Sequence, residues 1–168
     1  PPQRLAELEL PALKERVLAR VRWVSQEERA AIRTMAADAV SAAWRKAVGK
    51  HPALAGMKVP QDLIETQQQA ACNAFEAAMQ AHRRPALHAL MDSAGRRYVE
   101  AVQRDAGMSK AQRGEILDGC VSDVLAGHDA LLAASRSSDP TLPGHAALIG
   151  QVDERVNSEI GEKTRGQA

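Results

Sequence analysis

The two cysteines, Cys72 and Cys120, carry the most reactive side chains in this sequence. A thiolate is a nucleophile and a metal ligand, and two thiols can join in a disulfide. Neither cysteine has a neighbouring His or a cluster of positive charge along the chain, which a low thiol pKa would require. The sequence therefore argues against a nucleophilic cysteine. It leaves two alternatives, a disulfide or a pair of ordinary buried thiols.

Histidines and carboxylates supply the remaining candidates for chemistry. His88 and Asp92 are four residues apart, a spacing that two metal ligands on one helix can use. No HExxH motif or second His–carboxylate pair accompanies them, so a surface pair is the preferred interpretation. His128 falls among apolar positions and is expected in the core or at its rim. One predicted helix has a polar side that we interpret as solvated, with Glu115, Asp118, Ser122 and Asp129.

The motifs, the charge balance and the apolar runs of the chain argue against several classes of function. No Walker A, GxGxxG or GxSxG motif is present. Lys and Arg number 22 against 21 Asp and Glu, and this balance argues against nucleic-acid binding. No apolar run approaches the roughly 18 residues of a membrane span. We therefore predict no catalytic residues, no metal and no cofactor.

The elements that position these residues are predicted to be helices throughout. Apolar residues make up 45% of the chain but aromatic residues only 2%, so the core must consist mainly of Ala, Leu, Val, Ile and Met. Apolar residues recur at steps of three and four, and no strand-like alternation of useful length appears. We predict an all-α fold, a single bundle of five to six helices with mostly antiparallel neighbours. It forms one domain, residues 1–168, with frayed ends at 1–4 and 161–168.

Caps, glycines and prolines predict the helix boundaries. The first helix has Pro11 in its first turn, the second follows a capping box at Ser25 and Glu28, and Gly49 ends it. A third helix is predicted from Pro60 to about Arg84. Pro85 then separates it from a fourth helix, because proline lacks the backbone N–H and disfavours helix just before it.

The fifth predicted helix follows a second capping box, Ser109 with Gln112, and a sixth follows a break at 137–144. Two short connections would make the third and fifth helices parallel. Cys72 lies 12 residues after Pro60 and Cys120 lies 11 after Ser109, so both thiols are predicted at one height. The sequence thus predicts a Cys72–Cys120 disulfide and, with it, a periplasmic or secreted protein. A cytoplasmic location is the alternative.

Glycines and loop residues are the candidates for partner binding. Gly114, Gly119 and Gly127 lie in the fifth helix, where each costs about 1 kcal/mol relative to Ala. Close helix packing is one explanation, and a groove for a partner, involving Gly119 and Gly127, is the other. The loops 49–59 and 137–144 carry apolar residues that no helical face explains: Leu54, Met57, Val59 and Leu142.

One short segment has a resemblance to a known family. Residues 139–146, Asp-Pro-Thr-Leu-Pro-Gly-His-Ala, with Gln151 and Val152 beyond, resemble the opening motif of the C-terminal secretion-recognition domains of antibacterial type IV effectors from Xanthomonas-type bacteria. The resemblance covers about a dozen of 168 residues. The secretion-recognition domains continue well past the point where this chain ends. It implies a fragment of a larger secreted effector. A proline-bracketed loop ahead of a helix explains the same residues.

These observations predict a non-enzymatic helical protein-binding module from a bacterium, exported and of inhibitor, immunity or accessory type. The alternatives are a cytoplasmic adaptor or regulator, or a helical fragment of a larger secreted effector. A helical hydrolase or lyase, with carboxylates and histidines gathered from several helices, is the least favoured. The expected partner is another protein, and the oligomeric state is not predicted.

Overall fold

Five α-helices account for nearly all of the described chain. The computed structural model describes residues 2–54, 56–134 and 145–166. The helices are α1 Pro2–Arg20, α2 Gln26–Lys50, α3 Gln61–Arg104, α4 Lys110–Ala134 and α5 His145–Gly166, with a short 3-10 turn at Pro52–Leu54. No strand occurs within these ranges, which confirms the all-α prediction. Helix is present at 2–4 and at 161–166, in the two segments predicted to fray.

Three helices begin where the sequence predicted. α2 starts directly after Ser25 and α3 directly after Pro60, whose carbonyl oxygen accepts hydrogen bonds from the N–H groups of Leu63 and Ile64. α4 has the predicted capping box. The backbone N–H of Gln112 donates to the Ser109 hydroxyl at 3.2 Å, and the N–H of Ser109 donates to the Gln112 side-chain oxygen at 2.8 Å. Two of the first-turn donors are thereby satisfied.

Two prolines lie inside helices rather than at their ends. α3 continues through Pro85 for 44 residues, so the predicted break between a third and a fourth helix is wrong. Pro11 lies in the middle of α1, not in its first turn. Each proline removes one hydrogen bond from its helix, a cost that packing of the flanking turns can exceed. The number of helices falls from six to five for this reason.

The chain folds as two compact units, and α3 contributes to both. The first unit contains residues 1–25 and 82–135, and the second contains 26–81 and 136–168. In the first unit, α1, the C-terminal half of α3 and α4 enclose a core with few large side chains. Its buried members are Ala6, Leu13, Val17, Trp23, Leu87, Met91, Ala94, Tyr98, Val102, Leu117, Cys120, Val121 and Val124.

The second unit is built from α2, the 3-10 turn, the N-terminal half of α3 and α5. In this unit the helices α2 and α5 contact each other directly. Residues at helical spacing from each element are buried: Ile32, Ala36, Val40, Trp44 and Ala47 from α2, Leu63, Ala71, Phe75 and Met79 from α3, and Val152, Val156 and Ile160 from α5. The second unit therefore buries its own set of apolar side chains, separate from the core of the first unit.

We expect Pro85→Ala to raise the free energy of unfolding by about 1–3 kcal/mol. Alanine supplies an N–H that can donate to the Ala81 carbonyl, and Pro85 is exposed, so no core packing is lost. A more flexible unfolded chain offsets the gain by roughly 0.4–1 kcal/mol. Urea denaturation followed by circular dichroism measures the change. Pro52→Ala is the control, because it also replaces a proline by alanine but at the start of the 3-10 turn rather than inside a long helix. A destabilised Pro85→Ala variant would show that the packing of α3 requires proline here.

Candidate functional site

A groove lies between α1 and the C-terminal half of α3 in the first unit. Its volume is about 750 Å³, in the range of pockets that bind ligands. Lys14 pairs with Asp92 and Glu9 with Tyr98, so the two helices are antiparallel. The groove runs along this seam. It is lined by Glu7, Leu10, Pro11, Leu13 and Lys14 from α1, and by Met91, Asp92, Gly95, Arg96, Val99, Glu100 and Gln103 from α3.

Gly95 is the point of closest approach at the floor of the groove. A Cβ placed on Gly95 would lie 3.2 Å from Leu10 Cδ2 and 4.0 Å from Leu13 Cδ2. The first distance is tighter than an ordinary van der Waals contact, so a larger residue would push Leu10 outward. Glycine in a helix interior costs about 1 kcal/mol relative to alanine. Here the close packing of α1 against α3 explains its presence.

Charged side chains line the rim over this apolar floor. The Lys14 ammonium lies 3.7 Å from an Asp92 carboxylate oxygen, an exposed pair that joins the two helices across the groove. Arg96 and Glu100 follow on the exposed side of α3, and neither makes a hydrogen bond or ion pair among the described residues. The rim therefore presents both signs of charge beside apolar surface, which suits a polypeptide better than a purely apolar ligand.

A shared carboxylate holds α1 in place beside the groove. Glu9 on α1 accepts a hydrogen bond from the hydroxyl of the buried Tyr98 on α3. Its second oxygen accepts from Arg113 Nε on α4 at 3.1 Å, and Arg113 Nη1 donates to the Met108 carbonyl at 3.2 Å. The Glu9 side chain thus connects all three helices of the first unit. One of its partners is charged and the other is buried, and hydrogen bonds of both kinds contribute more than exposed neutral ones.

A second polar cluster fixes the segment after α1. Arg83 Nη1 donates to the Trp23 carbonyl at 2.7 Å, and His128 Nε2 donates to the Arg22 carbonyl at 2.8 Å. The imidazole of His128 also meets the Trp23 indole edge to face, with ring centres 5.6 Å apart. His128 is thus a buried core residue, as predicted.

Both cysteines are free thiols, so the structure does not contain the predicted Cys72–Cys120 disulfide. The height argument required separate third and fourth helices, and α3 is instead continuous through Pro85. Cys72 belongs to the second unit, where its thiol donates to the Arg29 carbonyl at 3.9 Å, whereas Cys120 lies in the core of the first unit.

The two thiols are also poor nucleophiles. Burial raises the pKa of Cys72 above its ordinary value of 9.0, and the nearby positive charges of Arg33 and Arg29 oppose that shift without reversing it. Burial likewise raises the pKa of Cys120, with Arg97 opposing. A raised pKa leaves less thiolate at neutral pH. Both groups therefore behave as packed side chains.

The predicted loop site is only partly on the surface. Leu54, the last residue of the 3-10 turn, is fully buried, and that turn contacts α2. Leu54 is therefore inaccessible to a partner in this structure. Met57 is exposed and Val59 is half-buried. Leu142 and the segment that resembles the effector motif, up to residue 144, lie outside the described residues.

The glycines of α4 differ from one another. A Cβ on Gly127 would lie 3.4 Å from Leu90 Cδ2, so Gly127 faces α3, in agreement with the packing explanation. Gly114 and Gly119 have no atom within 4 Å of the position of a Cβ, so they face open space. Gly119 is exposed, whereas Gly127 is half-buried.

The carboxylates and the remaining histidines of the described ranges do not converge on a metal site. Asp92 pairs with Lys14 rather than with His88, and Asp118 pairs with Arg16 at 2.6 Å. Within the part of the chain that the structure describes, no group of three or more His, Cys, Asp or Glu side chains is arranged to hold a metal ion. No helix of that part is long and apolar enough to cross a bilayer.

Sequence reasoning did not identify the groove. None of the sequence predictions names Leu10, Leu13 or Gly95 as a site residue. A glycine in the middle of the helical pattern between Met91 and Val99 was the available signal, because such a glycine often marks close packing. Which helix approaches it depends on the fold. The chain matches no known protein family, no curated protein and no solved structure.

We expect Tyr98→Phe to lower the free energy of unfolding by about 1.5–3 kcal/mol, the range for a hydrogen bond to a charged group. The hydroxyl is lost while the ring is retained, so little packing changes. Denaturation in urea measures the difference. In a Glu9→Ala background the same change should cost much less, because the hydroxyl has already lost its acceptor. Equal costs in the two backgrounds would mean that the contact contributes nothing.

Thiol counting and pH dependence test the state of the cysteines. Unreduced, unfolded protein should titrate as two thiols per chain, and the native protein should react slowly.

The folded-state pKa values of the two thiols are raised, so the contribution of the thiols to stability is complete below pH 9.0 and decreases as the pH rises through the folded-state pKa values. The wild type should therefore lose more stability than Cys72→Ala/Cys120→Ala between about pH 7 and about pH 10.5. Equal losses would contradict the raised pKa values.

Proposed function

We propose that this chain is a helical protein-binding module without catalytic activity of its own, and that it binds a helix of another protein in the groove between α1 and α3. The observation that carries the proposal is the groove itself. It combines an apolar floor at Leu10, Gly95 and Val99 with a rim of both charges. Amphipathic helices bind in grooves of this kind through apolar residues at i, i+3/i+4 and i+7.

The geometry of the groove supports a helix as the ligand. Its lining residues on α3 recur at steps of three and four from Met91 to Gln103, so the groove extends along about three turns of this helix. Gly95 lets Leu10 of α1 pack closely against α3, so these two residues form a continuous apolar surface in the groove. The half-buried contacts of Glu9 hold α1 in place before a partner arrives, and this lowers the ordering cost of binding.

The proposed type is an inhibitor, immunity protein or accessory protein. Export is kept as a prediction, but the free thiols remove the disulfide argument for it. A cytoplasmic adaptor or regulator is the second candidate, and the two free thiols favour it, since reducing compartments keep thiols unpaired. The groove would serve either protein in the same way.

We expect Val99→Gln and Arg96→Glu to abolish capture of the partner while leaving the fold intact. The first change makes the half-buried floor polar, and the second reverses a rim charge that has no ion-pair partner among the described residues. Each should weaken binding at least about tenfold, as expected for a residue at the centre of an interface. Native lysate is passed over the immobilised protein, and bound proteins are identified by mass spectrometry.

Arg104→Glu is the matched control, because Arg104 is exposed on α3 outside the groove. A protein captured by the wild type and by Arg104→Glu, but not by the two groove variants, is the expected result. If the wild type and both groove variants capture the same proteins in equal amounts, the groove is not the binding site. Circular dichroism of each variant shows that the fold is retained.

A further inference from the structure

α1 is apolar on two sides, although only one side faces the core. Ala6, Leu13 and Val17 are buried within the first unit. The described residues include five exposed large hydrophobic side chains, and three of these lie on α1: Leu5 at 48%, Leu8 at 70% and Leu18 at 45% exposed. A surface helix normally has a polar outer face. Leu8 and Leu18 lie on the side of α1 opposite Ala6, Leu13 and Val17, and an exposed apolar side of this kind can bind a partner.

The outer face of α1 has the spacing of a coiled-coil seam. Its exposed residues follow each other at steps of four, three, four and three: Arg4, Leu8, Pro11, Glu15 and Leu18. Alternating steps of this kind place side chains along one line of a helix. Arg4 and Glu15, near the two ends of the seam, make no hydrogen bond or ion pair among the described residues. Both charges are therefore available to a partner.

We propose that this outer face of α1 binds the same face of a second copy of this chain, with the two helices antiparallel. In this arrangement Arg4 faces Glu15 of the second copy, and Leu8 faces Pro11 of the second copy. Two-fold symmetry repeats both contacts. The two Leu8 side chains then lie about 4.5 Å apart along the axis, close enough to pack at the centre. The seam is thus complementary to itself in both charge and apolarity.

The charges select the antiparallel orientation. Parallel helices in register would place Arg4 against Arg4 and Glu15 against Glu15. Like charges across an interface are unfavourable, whereas the antiparallel pair has two attractive contacts. A different protein is not expected to carry opposite charges at the same distances from the centre of the seam as Arg4 and Glu15. The self-complementary pattern therefore points to a second copy as the occupant.

The dimer should be weak. The overlap from residue 4 to residue 15 is only about 18 Å long, which is short compared with a standard stable interface. Exposed ion pairs are screened by salt, so the dissociation constant should rise with ionic strength. This surface is separate from the floor of the groove and shares only its edge at Pro11. The inference therefore goes beyond the proposed function.

Sedimentation equilibrium of the full 168-residue chain at low salt tests the inference. The wild type should dimerise reversibly with increasing concentration. Arg4→Glu and Glu15→Arg should each raise the dissociation constant about tenfold, because either change makes both ion pairs repulsive. The double variant Arg4→Glu/Glu15→Arg should recover an affinity within about threefold of the wild type, since it restores opposite charges. Leu8→Gln should weaken the dimer in every background.

Lys46→Glu and Asp38→Arg are the controls, because both residues are exposed on α2 and make no ion pair among the described residues. They should leave the dimer unchanged. A wild type that stays monomeric up to about 1 mM would overturn the inference. So would a double variant no better than the single ones, which is the result expected if a different surface mediates dimerisation.

Circular dichroism checks that each variant is folded. If a single variant unfolds, the salt dependence of the wild-type dimer decides, because an affinity equal at about 0.05 M and about 0.5 M salt excludes the two ion pairs. The groove variant Arg96→Glu should dimerise normally. A failure of partner capture can therefore be distinguished from a failure of self-association.

Discussion

The placement of α1 on α3 and α4 is the constraint on which the candidate surfaces depend. Two interactions determine it: the close approach of Leu10 to Gly95, and the sharing of the Glu9 carboxylate between Tyr98 and Arg113. The first sets how near the helices come, and the second sets how far α1 is turned about its axis. Because Glu9 is oriented inward, Leu8 must face solvent, and Glu7 and Leu10 must line the groove. A helix held only by aliphatic contacts could turn more freely.

The scarcity of aromatic residues explains why such polar contacts are needed. Of the four aromatic side chains, Trp23 and Tyr98 lie in the core of the first unit, and Trp44 and Phe75 are buried in the second. The remaining core is largely Ala, Val, Leu and Met, whose shapes interlock less specifically. Buried hydrogen bonds to Trp23, Tyr98 and His128 supply the missing specificity. These three contacts are buried or half-buried, whereas the ion pairs of Lys14 with Asp92 and of Arg16 with Asp118 are exposed.

Both candidate binding surfaces lie on α1. α1 uses Ala6, Leu13 and Val17 for the core, and it still has leucines on the side that faces solvent. The groove and the outer face lie on one helix and share only Pro11, so the two proposed contacts involve largely different residues. The thiols are involved in neither surface. Their burial and raised pKa values make them part of the packing.

The sequence by itself determined the helical class, the starts of α2, α3 and α4, the absence of strands in the described ranges and the burial of His128. These follow from periodicity and from caps such as Ser109 with Gln112, which act within a few residues of chain. Only the tertiary structure decided that α3 continues through Pro85, that Cys72 and Cys120 belong to different units, that Leu54 is buried and that Leu10 meets Gly95. Each of these depends on contacts between residues far apart in the chain. Their packing energy exceeds the local cost of a proline or a glycine, and no local pattern reports it.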